Sequence, residues 1–293
     1  MQNSTTRNER ALRAAFTLTA LAACLATPAA HAQEAVAEVP TIGTHVLGVG
    51  FGYGRYATLD EAASRLAYGA NAVVGTLDYV GESRTLRWTV RTYAAWGNEQ
   101  AKGVGERSIR FQSQAPDGTV DDVTVPMRGT RLVGAAEAEL AYVHRFPHVD
   151  LFAGAGVDFV VQRPDGFVTP GLSQRLTFEP VIGMRWRFAP KQQLELEART
   201  SLFGWVTRLP YHQSVSWPDS TAYQGLVEQG SSFRTLADFQ TFDALASYCL
   251  RLREHLALRG TTAVTYVHDP DPRPLRAFNA RFLFSFDVVF GGR

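Results

Sequence analysis

The sequence predicts an all-β fold, a closed antiparallel transmembrane β-barrel of about ten strands within a range of about 8–12. Three observations predict it. Long segments alternate between apolar and polar residues, the connections between them alternate between short and long, and an export signal precedes them all. Composition alone resembles a soluble domain, with 45% hydrophobic residues, 19% charged residues and a net charge of +1. That neutral balance argues against a nucleic-acid-binding protein, which needs a basic face.

The first 32 residues have the layout of a cleaved signal peptide. Three arginines precede an apolar stretch over Ala14–Ala26, and Ala30-His31-Ala32 is a small-x-small cleavage site. Residues 33–43 then form a short periplasmic leader, and residues 44–293 form the barrel. An alternative is that Leu21-Ala22-Ala23-Cys24 is a lipobox, whose cysteine is acylated. Either signal predicts export.

Ten segments alternate with period two, which fits strands and no helical face. In the clearest, Arg175 to Phe188, six apolar side chains including Ile182 and Trp186 share one face, while Glu179 and Arg185 lie on the other. The segments are His45–Tyr56, Ala67–Val80, Leu86–Trp96, Leu132–Tyr142, Leu151–Phe159, Arg175–Phe188, Leu194–Leu202, Phe242–Arg253, Leu256–Tyr266 and Arg276–Phe290. In the second segment the pattern slips near Gly75, which predicts a β-bulge.

The connections separate into two kinds that strictly alternate along the chain. The short ones lie around residues 81–83, 147–149, 190–192 and 254–255; the others are residues 58–64, 97–130, 163–173, 210–240 and 269–274. Short periplasmic turns and longer extracellular loops are typical of outer-membrane barrels. A soluble antiparallel barrel or sandwich is the alternative, but it would leave too many Trp and Phe residues uncovered. Pro180 lies in mid-strand and requires a local bulge.

The last strand carries Phe282-x-Phe284-x-Phe286-x-Val288-x-Phe290. With the export signal and the alternating strands, it resembles bacterial outer-membrane β-barrel proteins in general, over nearly all of residues 44–290. The resemblance implies insertion by the barrel-assembly machinery, which reads the C-terminal strand, and contact with outer-membrane lipid and lipopolysaccharide. The chain departs from the pattern by continuing through Gly291-Gly292-Arg293.

The polar faces place many charges inside a barrel too narrow, at about ten strands, for a wide channel. Arg185 and Arg187 are expected to pair with Glu195 and Glu197 across a short turn, forming part of a structural plug. A narrow ion or solute pathway is the alternative. The predicted lumen charges are Arg87, Arg91, Glu137, Glu139, Asp158, Glu179, Arg185, Arg187, Glu195, Glu197, Arg199, Asp243, Arg251, Arg281 and Asp287.

Two motifs invite a ligand-binding interpretation, and neither predicts a cofactor or a metal. Gly48-x-Gly50-x-Gly52-x-Gly54 has a strict spacing of two and no following helix, so it indicates room for arginines inside the barrel rather than a phosphate loop. His144 and His148 flank a turn without a carboxylate or cysteine cluster.

Weak candidates for catalysis lie at the extracellular rim: His212, His268 and Asp269. A histidine with a carboxylate could act as a general base, as in ten-stranded surface proteases of the omptin type. The Asp-x-His element that marks those proteases is not found, so an outer-membrane hydrolase is kept only as an alternative function.

Residues 107–125 predict a projecting β-hairpin around Pro116-Asp117-Gly118, and residues 210–240 carry aromatics suited to contact. The leading hypothesis is therefore a non-enzymatic outer-membrane barrel with a structural, surface-binding or adhesion role. An extracellular ligand or surface partner would contact these loops.

Overall fold

The computed structural model describes residues 44–61, 66–103, 108–114, 120–126, 128–165, 172–208, 230–271 and 274–291. The predicted signal peptide and periplasmic leader lie outside these ranges. Within the ranges, no helix is long and apolar enough to cross a membrane.

Most of the described residues form β-strands, which belong to two antiparallel sheets. In chain order they are β1 (Thr44–Asp60), β2 (Ala67–Glu82), β3 (Leu86–Ala101), β4 (Ser108–Gln114), β5 (Val120–Pro126), β6 (Arg128–Arg145), β7 (Val149–Asp165), β8 (Ser173–Ala189), β9 (Gln192–Thr200), β10 (Phe203–Arg208), β11 (Ser231–Thr235), β12 (Gln240–Arg253), β13 (Leu256–Asp269) and β14 (Leu275–Phe290). Strands β4 and β5 form a separate two-stranded sheet, which confirms the predicted hairpin.

The remaining strands close into an antiparallel barrel with ten strand positions around its wall, as predicted. Each position is called a stave here, because two of them are formed by two consecutive strands. Strand β1 pairs with β14, and β8 pairs with β9, so the sheet has no open seam. Following paired residues from Thr44 once around the barrel returns to β1 at Tyr56, twelve residues further along. A stagger of this size tilts the strands by about 40° from the barrel axis.

Two of the ten staves are interrupted. One is made of β9 and β10, which both pair with β8; the other is made of β11 and β12. Between the pairs Val181–Arg199 and Phe178–Phe203, the β9–β10 stave contains one residue more than β8. This β-bulge lies opposite Pro180, whose nitrogen has no hydrogen to donate to the ladder. The bulge that Pro180 requires is therefore present.

The outer wall is apolar and the strands alternate as predicted. Phe51 on β1 is 63% exposed and Trp96 on β3 is 64% exposed, while their chain neighbours Gly50 and Ala95 are buried in the lumen. On β3 the outward Trp88 and Trp96 are eight residues apart, which corresponds to about 20 Å along the axis of a tilted barrel. Aromatic side chains near both edges of a band of this height are typical of a barrel surrounded by lipid.

The predicted bulge at Gly75 is wrong. The pairing of β2 with both β1 and β3 runs through Gly75 without a register shift. The hydrophobic pattern slips because Ala70, Ala72 and Val74 face the lumen, where they are 0–3% exposed. Because these inward-facing residues are apolar, the hydrophobic pattern of the sequence shifts although the strand pairing does not.

Candidate functional site

The half of the lumen nearer the short turns is filled by one connected network of ion pairs. It joins strands β2, β3, β6, β7, β8 and β9. Its arginines are Arg87, Arg91, Arg145, Arg185, Arg187 and Arg199, and its carboxylates are Glu82, Glu137, Glu139, Asp150, Glu195 and Glu197. Equal numbers of the two charges let every buried ion have a partner, which burial of a charge requires.

Several contacts of this network cross the lumen instead of following its wall. The Arg87 guanidinium on β3 donates to the Glu195 carboxylate on β9 at 2.6 Å, although three strands separate β3 from β9 in the sheet. Arg91 donates to both oxygens of Glu197, at 2.9 and 3.0 Å. Because arginine forks bind carboxylates in a fixed plane, these bonds hold the two walls at a defined separation.

A second, apolar layer lies in the lumen on the side of the long loops, against the wall formed by β1, β2, β3, β6 and β7. It is centred on Tyr56, Ala70, Ala72, Val74, Ala95, Val133, Ala135 and Val160, with Tyr93 and Leu283 packed against it. Arg281 lies beside this apolar layer, and its guanidinium carbon is 3.9 Å from the centre of the Tyr93 ring. On β3 and β6 the apolar residues follow directly beyond the ion-paired ones, so the two layers are stacked along the axis.

Further ion pairs lie at the mouth formed by the loop-side strand ends. Arg208 on β10 donates to the carboxylates of Asp60 on β1 and Asp269 on β13, the latter at 3.2 Å. These strands are not neighbours in the sheet, so the contacts span the opening. Burial raises the pKa of Asp269 above its ordinary value, although a hydrogen bond from the Asp271 amide and the charge of Arg208 oppose the shift.

One of the predicted ion pairs is present in the structure, and most of the other predicted lumen charges have partners that were not predicted. Arg185 pairs with Glu195 at 3.2 Å as expected, whereas Arg187 pairs with Asp150 on β7 at 2.9 Å instead of with a β9 glutamate. Asp158 accepts from Arg175 at 3.1 Å, and Asp287 accepts from Arg259 at 2.8 Å. Six of the predicted charges are outside the connected network: these two aspartates, Glu179 and Asp243, which accept from threonines, Arg281, which stacks on Tyr93, and Arg251, which is exposed.

Sequence reasoning missed Glu82 and Asp150, which are both central to the network. Each lies at the end of a strand beside a short turn, where a polar residue is expected in any case. The signal that could have found them is their parity, since Glu82 continues the inward positions of β2 and Asp150 continues those of β7.

The first-strand glycines all lie on the lumen side of β1. A Cβ at Gly48 would be 2.6 Å from Oδ1 of Asp287, and one at Gly50 would be 2.8 Å from Cγ2 of Thr76. At Gly52 the nearest atom is the Phe282 carbonyl oxygen. The glycines therefore make room for these groups and for the β14 backbone, rather than for arginines.

The two rim residues that the structure describes, His268 and Asp269, do not form an acid–base pair with each other. His268 and Asp269 are successive residues of β13, so their side chains point to opposite faces of the wall. The Asp269 carboxylate is 1% exposed and bonded to Arg208, and Nδ1 of the half-buried His268 has no hydrogen-bond partner among the described residues. His212 lies outside the described residues. His144 and His148 are exposed beside their turn, and the described residues contain no group of three or more His, Cys, Asp or Glu that could hold a metal.

No protein-family model and no curated protein sequence matches this chain. Among solved structures, the outer membrane protease OmpT from Escherichia coli has a TM-score of 0.47 and 8% identity, covering 89% of this chain and 99% of that one. An outer membrane channel from Pseudomonas putida F1 has a TM-score of 0.39 and 9% identity over 89% and 100% of the two chains. Ail, the attachment invasion locus protein of Yersinia pestis, has a TM-score of 0.31 and 9% identity over 84% and 98%.

These structural neighbours are bacterial outer-membrane β-barrel proteins. They include a protease, a channel and an attachment protein, and none of the three TM-scores reaches 0.5. The architecture of this chain therefore rests on its own closed strand order and apolar outer wall, and its function has to be argued from its own residues.

Proposed function

We propose that this protein is an integral barrel of the bacterial outer membrane whose lumen is sealed and whose role is surface binding or structural. The observation that carries the proposal is the cross-lumen ion-pair network, above all the bond between Arg87 and Glu195. A conducting pore needs a continuous aqueous path, and here ion pairs cross the lumen between opposite walls.

The energetics of burial also favour a seal over a pathway. Arg87 is 2% exposed and the carboxyl-bearing side chain of Glu197 is fully buried, so the two are held as fixed members of ion pairs. Ions that line a conduction path must exchange partners with permeating ions, which a bidentate arginine–carboxylate bond opposes. Outer-membrane placement is supported by the apolar outer wall and by the predicted export signal.

The surface-binding part of the proposal rests on the β4–β5 hairpin. Its seven paired positions run from Ser108–Pro126 to Gln114–Val120, and its sheet shares no strand with the barrel. Arg110, Gln112 and Asp122 on it are exposed. A two-stranded ribbon that pairs with no other described strand and exposes polar side chains suits contact with a protein partner.

The seal can be tested by recording currents through the purified protein in planar lipid bilayers. The wild type is expected to show no stable open-channel current. The double variant Arg87→Ala with Glu195→Ala removes both charges of the cross-lumen pair, so neither is left buried without its partner. This variant should produce a measurable conductance. A large steady current through the wild type would refute the seal.

The matched control is Arg259→Ala with Asp287→Ala. This pair is also in the lumen, with a 2.8 Å hydrogen bond, but it joins the neighbouring strands β13 and β14 along the wall. Its removal should leave the barrel closed. Equal conductance in both double variants would mean that loss of any lumen side chain opens the barrel, and that the cross-lumen pair has no special role.

A further inference from the structure

The outward-facing charged residues of the barrel strands are distributed unevenly. Five are exposed bases that point outward at the strand ends near the long loops; they define the cationic arc: Arg55, Lys102, Arg128, Arg163 and Arg276. No aspartate or glutamate is found among the outward side chains described within these strands; directly after β1, the exposed Glu61 is one carboxylate at the same end of the barrel. The arc occupies β14, β1, β3, β6 and β7, which with β2 are contiguous in the sheet.

The arc lies just beyond the aromatic edge of the apolar band. On β1 the outward position after Tyr53 is Arg55, and on β14 the outward position above Phe278 is Arg276. On β3, Trp96 is followed outward by Asn98, Gln100 and then, directly after the strand, Lys102. Residues at this level meet lipid headgroups, because the tryptophan and tyrosine belt marks the edge of the hydrocarbon.

The centre of the arc is the pair Arg55 and Lys102. Within the described part of the chain, neither side chain forms an ion pair with a carboxylate. The Lys102 side chain lies over the outer face of Gly69, where Cε would be 3.1 Å from a Cβ on that glycine. Gly69 pairs with Ala57 on β1, which brings the lysine toward the strand that carries Arg55.

The two cations influence each other. Partial burial and the positive charge of Arg55 lower the pKa of Lys102 below its ordinary value. Like charges held together without a counter-charge are relieved by an anion that contacts both. The ligand chemistry that fits is therefore a group with negative charge, multiple acceptor oxygens and a position at headgroup level.

We propose that the cationic arc binds the phosphate groups of anionic lipid headgroups in the leaflet next to the long loops. In an outer membrane this leaflet carries phosphorylated glycolipid, so the site would orient the barrel and recruit such lipid to one side of it. The inference rests on the outer-membrane placement proposed above, but it does not depend on whether the lumen is sealed.

Native mass spectrometry of the detergent-solubilised full-length protein tests the proposal, with bisphosphorylated lipid A and its dephosphorylated form as probes. The wild type should retain the bisphosphorylated lipid and release the dephosphorylated one. Arg55→Gln with Lys102→Gln should weaken retention on the order of 10–30-fold, as expected for two basic residues at an anionic surface. Arg55→Lys with Lys102→Arg should retain the lipid, because it keeps both charges.

The matched control is Lys191→Gln with Arg253→Gln, which removes two exposed bases at the short-turn end. It should bind lipid like the wild type. Equal loss in the control and the arc variant, equal retention of the dephosphorylated lipid, or displacement of the lipid by inorganic phosphate at matched concentration would each overturn the proposal. Slower migration after boiling verifies that every variant is folded. If the lipid test fails and the wild type shows no current, lipid binding by the cationic arc is refuted, whereas the proposal of a sealed barrel is not.

Discussion

Gly52 shows how closely a single residue controls the closure of this barrel. It lies on β1 beside β14, where the first and last strands meet. The β14 backbone approaches so closely that a Cβ at this position would overlap the Phe282 carbonyl oxygen and lie 2.8 Å from the Leu283 Cα. Since both atoms belong to the backbone, they cannot rotate away as a flexible side chain would.

Gly52→Ala should therefore hinder pairing of β1 with β14 and lower the stability of the folded barrel by about 1–3 kcal/mol. The measurement is the temperature at which the compact band is lost in a heat-modifiability gel. Gly75→Ala is the control, because a Cβ there meets no atom within 4 Å. Equal melting of the two variants would contradict the close approach at the seam.

Arg208, at the mouth of the barrel, holds a cation beside the buried Asp269 carboxylate. Arg208→Gln leaves the buried Asp269 carboxylate without its cation, which should cost about 1–3 kcal/mol at neutral pH. Burial already raises the folded-state pKa of Asp269, so ionisation of this carboxyl is less favourable in the folded protein than in the unfolded chain, and removal of Arg208 raises that pKa further. The penalty is thus largest above the folded pKa and shrinks as the pH falls toward the unfolded value of about 3.9.

Thermal melting of Arg208→Gln and wild type at about pH 7.5 and about pH 4.5 measures this effect. The difference between the two proteins should be smaller at the acidic pH. A difference that grows on acidification would show that the Asp269 carboxylate does not respond in this way. Arg234→Gln is a useful comparison, because Arg234 pairs at 2.7 Å with the exposed Asp271, and a pair with an exposed partner contributes little.

At the scale of elements, the barrel wall and the β4–β5 hairpin are separable. Every backbone pairing of β4 and β5 is with each other, whereas β3 and β6 on either side of them pair directly with one another. The wall therefore closes without the hairpin. The same reasoning applies to the interrupted staves, where β8 holds both β9 and β10 across the bulge opposite Pro180.

Replacement of residues 104–127 by a short glycine–serine turn should leave the barrel folded, with an unchanged shift between unboiled and boiled migration. If the hairpin binds a surface partner, cells that express the deletion variant should not attach to a surface to which cells that express the wild type attach. A variant with the hairpin intact but Arg110, Gln112 and Asp122 changed to alanine separates loss of contact from loss of the whole loop. Undiminished attachment in both variants would exclude the hairpin.

At the scale of the whole molecule, the interior consists of layers. Ion pairs fill the half near the short turns, the apolar cluster around Val74 follows, and ion pairs such as Arg208–Asp269 lie at the mouth. The ion pairs in both regions join side chains from non-neighbouring strands, so they resist widening of the barrel and obstruct its axis. This arrangement is the reason that a variant has to remove a cross-lumen contact to open the path.

The sequence by itself determined the class of fold and the outward and inward faces, because period-two alternation is a local property that a strand preserves wherever it packs. It also determined that Arg185 and Glu195 would meet, since a short turn brings them together. It did not determine that β2 turns Ala70, Ala72 and Val74 toward the lumen, since an inner apolar face and a bulge give the same pattern.

Only the tertiary structure decided which distant charges pair and which outward cations share a surface. Arg87 and Glu195 are 108 positions apart in the chain, and their contact depends on the stagger with which ten strands close. Arg187 pairs with Asp150 on the neighbouring strand β7 rather than with Glu197, because the register of β8 and β9 places Glu197 opposite Gly183, four residues from Arg187. Alternation fixes the face on which a side chain lies, but closure of the ring fixes its height and its opposite wall. Partners across the lumen and neighbours in the cationic arc are properties of that closure.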